Sequence, residues 1–169
     1  MDLDQFAQIV EDMAIQHEYP GFDIRSLKMG LPGDLVRSPA KLFGAGLKHD
    51  NPLVRLASLR WFWERPGIAK PFQRVIAEGL EDQDEWVRME SIRCLERIND
   101  VNAKHAERIA ELLGDSAVEV RKHAAKALGK LGLRSETIIT ALQKATQDSD
   151  HEVRWKAQKA LRLLGAYVA

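Results

Sequence analysis

The dipeptide Val-Arg returns at Val54-Arg55, Val87-Arg88, Val120-Arg121 and Val153-Arg154, each 33 residues after the last, with no insertion. A fixed period of this length marks a repeat array and constrains architecture before any single residue's propensity is weighed. Other columns keep the same register. Ser58, Ser91, Ala124 and Ala157 place a small side chain four residues after each valine. Phe62, Leu95, Leu128 and Leu161 place an apolar one eight after it. Upstream of the arginines stand His49, Asp82, Asp115 and Asp148, and further back Phe43, Ile76, Ile109 and Leu142.

Valine, a small residue one turn on and an apolar residue one turn beyond form the stripe of an amphipathic helix. The spacing predicts a second helix of each unit over 52–64, 85–98, 118–131 and 151–164. Asn51-Pro52 supplies an N-cap and a proline at the first helical position, where a missing N–H goes unused. Asp84 and Asp150 fill the same column, and Ser116 with Glu119 is expected to form a capping box in the third unit. Gly132 and Gly165 suit the left-handed residue that ends a helix. First helices are predicted over 39–48, 69–81, 102–113 and 136–147, with Ser38-Pro39 opening the first of them. No alternating β-branched run is flanked by hairpin turns, so strands have no support.

The pattern therefore predicts an all-α chain, an α-solenoid of about four 33-residue helix pairs in one continuous domain. Its units run over about 38–66, 67–99, 100–132 and 133–169. Each pair buries its stripe only by stacking on neighbours. Residues 1–37 fall outside the period. Leu3, Phe6, Ile9, Val10, Met13 and Ala14 form a helical stripe that would close the exposed end of the first unit, and Tyr19-Pro20-Gly21 and Pro32-Gly33 mark an irregular stretch after it.

Composition narrows the function classes. The 169 residues are 45% hydrophobic and 30% charged, with 25 basic and 25 acidic residues. That excludes a disordered chain, and the zero net charge argues against a protein that coats nucleic acid by bulk charge. A lone cysteine, Cys94, excludes a disulfide framework. The sequence has no apolar run long enough to span a membrane, and its first residues lack the basic flank of a signal peptide, so a reducing cytoplasm is the expected compartment.

The segment from Asp115 through Val120-Arg121-Lys122-His123-Ala124-Ala125 to Gly132, with a second copy from Asp148 to Gly165, resembles the phycobilisome-lyase type of HEAT-like repeat. Asp82 to Ile98 and Asp50 to Trp63 are looser copies, so the resemblance covers about residues 39–165. It implies an armadillo-like, right-handed superhelix with the second helices lining the concave side. It transmits no activity, because such repeats occur in scaffolds, bilin lyases, a hydroxylase and DNA glycosylases.

Within that frame Arg55, Arg88, Arg121 and Arg154 read as structural, each reaching an aspartate in a neighbouring loop: Asp82, Asp115 and Asp148 are spaced for such a ladder. The column Arg60, Arg93, Lys126 and Lys159 is basic throughout and lies off the apolar stripe. It predicts a concave ridge for partner contact, flanked by Trp63, Met89, Lys122 and Trp155 and extended by Lys130 and Lys156. Glu78, Glu81, Glu107, Glu111 and Glu136 fall on or near the first helices. Tryptophan with arginine is the composition of interface hot spots. Trp61 reads as core and Trp86 as packing between units. Cys94 shares a column with Trp61, Ala127 and Ala160 and reads as a buried small hydrophobe.

His17-Glu18 and His151-Glu152 resemble the His-Glu pairs of the HEAT-repeat deoxyhypusine hydroxylase, but that family needs several pairs directly after the Val-Arg step. Here those places hold Leu56-Ala57, Met89-Glu90, Lys122-His123 and Trp155-Lys156, so no catalytic residue, metal or cofactor is expected. The reading is a non-catalytic scaffold or adaptor that binds an acidic or amphipathic protein partner, with no membrane contact. The alternatives are a bilin lyase-like chromophore-attachment factor and a HEAT-like protein that binds or repairs DNA; nucleic acid is the less favoured partner.

Overall fold

A computed structural model describes residues 1–16 and 40–166, residues 13–16 by backbone alone. The Ser38-Pro39 cap, the Tyr19-Pro20-Gly21 and Pro32-Gly33 stretch, His17-Glu18 and the Met13 and Ala14 side chains lie outside the described residues.

Helix α1 spans Leu3–Gln16 and α2 spans Ala40–Gly46. The second helices follow the sequence period: α3 (Pro52–Glu64), α6 (Glu85–Ile98), α8 (Val118–Leu131) and α10 (His151–Leu163). Between them run α4 (Pro66–Ala69), α5 (Gln73–Glu78), α7 (Ala103–Glu111) and α9 (Glu136–Ala145). Short 3-10 turns cover Lys70–Phe72, Gly79–Glu81 and Leu112–Gly114. No strand occurs among the described residues. Helices α3, α6, α8 and α10 pack in chain order as one layer, and α2, α5, α7 and α9 each back their own second helix.

The single first helix expected over 69–81 is broken into α4, a 3-10 turn, α5 and another turn. Pro71 lies at the break, and having no N–H it cannot continue an α-helical ladder. The caps follow the column at 51, 84 and 150. Asn51 accepts from the Leu53 amide, Asp84 from the amides of Trp86 and Val87, and Asp150 from those of Glu152 and Val153. The third unit departs from expectation. Ala117, not Ser116, takes the N-cap backbone position and offers no side-chain acceptor, so no capping box forms. At the other end Gly132 (φ 68°) and Gly165 (φ 63°) are left-handed, and Asn99 (φ 51°) takes the same column in the second unit.

The core runs unbroken through the stack and includes Val54, Val87, Val120 and Val153. Ser58, Ser91, Ala124 and Ala157 are all fully buried where the two helices of a unit meet. A Cβ on Gly46 or Gly79 would stand 2.2 Å from the hydroxyl of Ser58 or Ser91, so the first two units need glycine there. Helix α3 is buried almost all round, at Val54, Leu56, Leu59, Trp61 and Phe62 among others, because α1 and α2 cover what α6 does not. Helix α1 buries Phe6 and Val10, its Phe6 ring meets Phe43 edge-on at 5.2 Å, and Glu11 accepts from the Asn51 side chain at 2.7 Å.

The last described unit is mixed, with Trp155 and Leu163 exposed beside polar side chains. The inward column Leu59, Ile92, Ala125 ends in Gln158, and the column Trp63, Glu96, Gly129 ends in Arg162. Among the described residues no helix is long and apolar enough to cross a membrane.

Candidate functional site

Between the layers' loops, each Val-Arg arginine joins its own loop to the next unit. Arg88 Nε and Nη2 donate to both carboxylate oxygens of Asp115, at 2.7 and 2.8 Å. Its Nη1 donates to the carbonyls of Asp82 and Gln83, at 2.8 and 3.0 Å. Arg121 repeats the arrangement on Asp148 (2.8 and 3.0 Å) and on the carbonyls of Asp115 and Ser116. Arg55 reaches Asp82 through Nη2 at 2.7 Å. Each aspartate also accepts from the backbone amide two residues on. Among the described residues Arg154 holds its own loop alone, at the carbonyls of Asp148 and Ser149. Hydrogen bonds from Arg121 hold the Asp148 carboxyl below the usual carboxylate range. Burial pushes the Asp115 carboxyl up, but the Arg88 and Ala117 hydrogen bonds outweigh it and hold that group low too.

The candidate ridge is graded along the stack. Arg60 lies over the Trp63 ring at 4.3 Å and is 3.3 Å from Glu64. Arg93 pairs with the buried Glu90 and also faces Trp63, at 5.2 Å. Both are mostly covered. Lys126 and Lys159 are exposed; Lys126 stands 3.4 Å from Glu96, and Lys159 lies 5.1 Å from the Trp155 ring. The flanking positions divide further. Lys122 is held by Glu119 and by Glu152 of the next unit, at 2.8 and 3.0 Å, and both carboxylates raise its pKa.

Met89 is corrected from partner contact to core: it is 4% exposed. Its column, Leu56, Met89, Lys122, Trp155, points toward the following unit, as the Lys122–Glu152 pair shows. An apolar side chain there is covered by that unit. Trp155, which no described unit follows, is 57% exposed.

Two cationic side chains escaped the sequence reading or were underweighted in it. Arg97 lies over Trp63 at 4.8 Å and makes no ion pair among the described residues. Lys130 pairs with Glu96 at 2.5 Å. Glu64, Arg97, Lys130 and Leu163 form the column one turn beyond the basic ridge, so the period alone was the signal that could have found them. Trp63, Arg93, Glu96, Arg97, Lys126 and Lys130 thus line a cleft of about 480 Å³ reaching from α3 across α6 to α8. Glu96 Oε2 is buried there without a hydrogen-bond partner among the described residues. A second cleft of about 300 Å³ lies between α8 and α10, mostly apolar and walled by Trp155 and Leu163.

Other sequence candidates go elsewhere. Trp61 is core and stacks on Phe43 at 4.2 Å, while Trp86 is partly buried against the core. Cys94 is buried, its thiol donates to the Leu59 carbonyl, and burial pushes its pKa well up, away from thiolate chemistry. His151 is exposed, and Glu152 is engaged by Lys122 and Lys156. Among the described residues no three His, Cys, Asp or Glu side chains are grouped to hold a metal ion. The acidic side chains on the first helices are not segregated from cations: Glu78 pairs with Lys48, and Glu81 with Arg108.

A family model described as HEAT repeats matches residues 105–167. No curated protein matches the sequence. Among solved structures, an engineered protein is similar over 96% of this chain and 78% of its own, at 19% identity and a TM-score of 0.63. A second engineered protein covers 99% of this chain and 87% of its own, at 18% identity and a TM-score of 0.63. A designed armadillo repeat protein in complex with the peptide (KR)4 covers 96% and 91%, at 15% identity and a TM-score of 0.61. At such identities the likeness speaks for the fold alone. The described residues thus form an all-helical solenoid with the fold shared by these structures, and residues 105–167 match the HEAT-repeat model.

Proposed function

We propose that this chain is a non-catalytic, cytoplasmic binding scaffold whose concave face takes an acidic or amphipathic protein segment. Its units are of the phycobilisome-lyase type of HEAT-like repeat, a reading that rests on residues 115–132 and 148–165. The observation that carries the proposal is the cluster of Arg97, Lys126, Lys130 and Lys159 on the second-helix face, where Glu96 is the carboxylate that Lys126 and Lys130 share. Arg60 and Arg93 add charge behind it. Such a cluster attracts acidic surfaces over roughly a Debye length and penalises basic ones. One designed armadillo relative was crystallised with a basic peptide. Here the chain's own cations call for the opposite sign. A stacked, rung-locked array also presents the cluster with little ordering entropy left to lose.

The test is charge reversal at exposed positions. Arg93 is unsuitable, since a carboxylate there would face buried Glu90. Arg97→Glu with Lys159→Glu leaves the core and the Lys126–Glu96 pair intact. The double variant should keep its helicity and melting temperature yet lose the proteins that the wild type captures from source-cell extract, as compared by quantitative mass spectrometry. Identical captured sets would remove the concave cluster as the binding surface.

A further inference from the structure

The two clefts share a wall. Lys126 and Lys130 line both, on one side facing the Trp63–Arg97 compartment and on the other the Trp155–Leu163 compartment. The compartments differ in chemistry. Around the first stand Arg93, Arg97, Lys126 and Lys130 with the aromatic floor of Trp63. The second has an apolar floor of Ala125, Gly129 and Ala160, with Trp155 (57% exposed) and Leu163 (61% exposed) above it. Gly129 makes that floor: a Cβ there would lie 2.9 Å from Ala160 Cα and 3.3 Å from Leu163 Cδ1. Lysines 126, 130, 156 and 159 rim it.

Building on the scaffold reading above, we infer that the face recognises a bipartite segment: one large apolar side chain seated between Trp155 and Leu163, and carboxylates seated around Arg97 beside Trp63. Charge complementarity selects this occupant. An apolar residue alone would leave Arg97 and Lys159, which make no ion pair among the described residues, without a carboxylate, and a basic segment would be repelled by them. Two large exposed apolar side chains flanking one small-residue floor fit a single anchor. Adjacent second helices pack about 8–10 Å apart. Arg97 beside Trp63 lies on the α3–α6 side and the anchor floor between α8 and α10, about one and a half to two helix spacings away, so an extended segment at about 3.3 Å per residue separates anchor and carboxylates by about four to six residues.

A phage-displayed random dodecapeptide library selected on the wild-type chain tests this. Enriched peptides should carry one Leu, Ile, Met, Phe or Trp with at least two Asp or Glu about four to six residues away. Fluorescence anisotropy then compares an enriched peptide on wild type, Leu163→Ser and Arg97→Glu, both exposed positions whose folding is checked by circular dichroism. Each variant should bind at least tenfold more weakly, the loss expected when one apolar side chain or one close charge pair is removed. Leu163→Ser should in addition become indifferent to replacing the peptide's apolar residue by serine. Enrichment of acidic peptides lacking an anchor and blind to Leu163→Ser would overturn the bipartite inference and leave the scaffold reading standing. Enrichment of basic peptides, or none, would overturn both. Binding to phosphatidylserine vesicles, or dimerisation of the chain alone in sedimentation, would overturn it if lost in Leu163→Ser with no peptide enriched.

Discussion

Substituting Arg88 by methionine removes a rung of the ladder while keeping the length of the side chain. Four hydrogen bonds go with it, two to the Asp115 carboxylate and two to loop carbonyls. The side chains of Arg88 and Asp115 are 13% and 6% exposed, so Asp115 is left as a nearly enclosed carboxylate, with the Ala117 amide as its remaining donor. Removing one partner of a buried pair costs about 3–5 kcal/mol; with one edge near solvent, about 2–4 kcal/mol is expected. The array contains its own control. Arg154 makes the same two loop-carbonyl bonds and bonds no carboxylate among the described residues, so Arg154→Met should cost only about 1–2 kcal/mol. The difference is the price of the orphaned carboxylate. Arg88→Met with Asp115→Asn should therefore lose less than the sum of the two single changes, by about 1–2 kcal/mol. Urea unfolding followed by far-UV circular dichroism measures all four proteins, and each kcal/mol corresponds to about 2–4 °C in Tm for a chain of this size. Equal losses for Arg88→Met and Arg154→Met, or strict additivity in the cycle, would show that the rungs do not couple the units.

Three further outcomes are expected. Ala117→Asp should stabilise the chain by about 0.5–2 kcal/mol in the same urea assay, because Ala117 (φ −83°, ψ 123°) already has the backbone of the capping residue Asp84 (φ −82°, ψ 124°). Gly129→Val should destabilise it by about 1–3 kcal/mol, since the new side chain meets the Ala160 backbone, with the shift read from Tm. Stability should also fall in two acid steps. Burial, with Arg93 and Lys126 nearby, lowers the pKa of His123, and burial lowers that of His105, so the unfolded chain gains protons first and stability declines as pH drops below about 6.5. Asp115 and Asp148 are held low, so their contribution is complete above about pH 4 and is lost as pH falls through their depressed values. His123→Gln should flatten the first step in a Tm–pH series; an unchanged slope between pH 6.5 and 5 would refute the assignment.

The architecture was legible because period, stripe and punctuation agree at Asn51, Asp84, Asp150 and Gly132. What misled was treating a column as one environment. Leu56, Met89, Lys122 and Trp155 share a register, yet their exposure depends on whether a following unit covers them, which depends on position in the stack and not on the residue. Arg93 looked free because Glu90 lies on its own helix, and no period announces a buried pair at i, i+3. Arg97 and Leu163 belong to the column four residues beyond the basic ridge, which composition does not single out because Glu64, Arg97, Lys130 and Leu163 share no chemistry. Pro71 was visible but was not weighed as a helix breaker.

Each rung ties an arginine to an aspartate 27 residues ahead, while the Nη1 of the same arginine holds its own loop's carbonyls. Adding or deleting one residue inside a helix of that interval would turn the rest of that helix by about a hundred degrees and take its stripe out of register with the next unit. Growth or shrinkage of such a protein is therefore quantised: whole modules can be copied or lost, while fractional changes are confined to segments outside the helices.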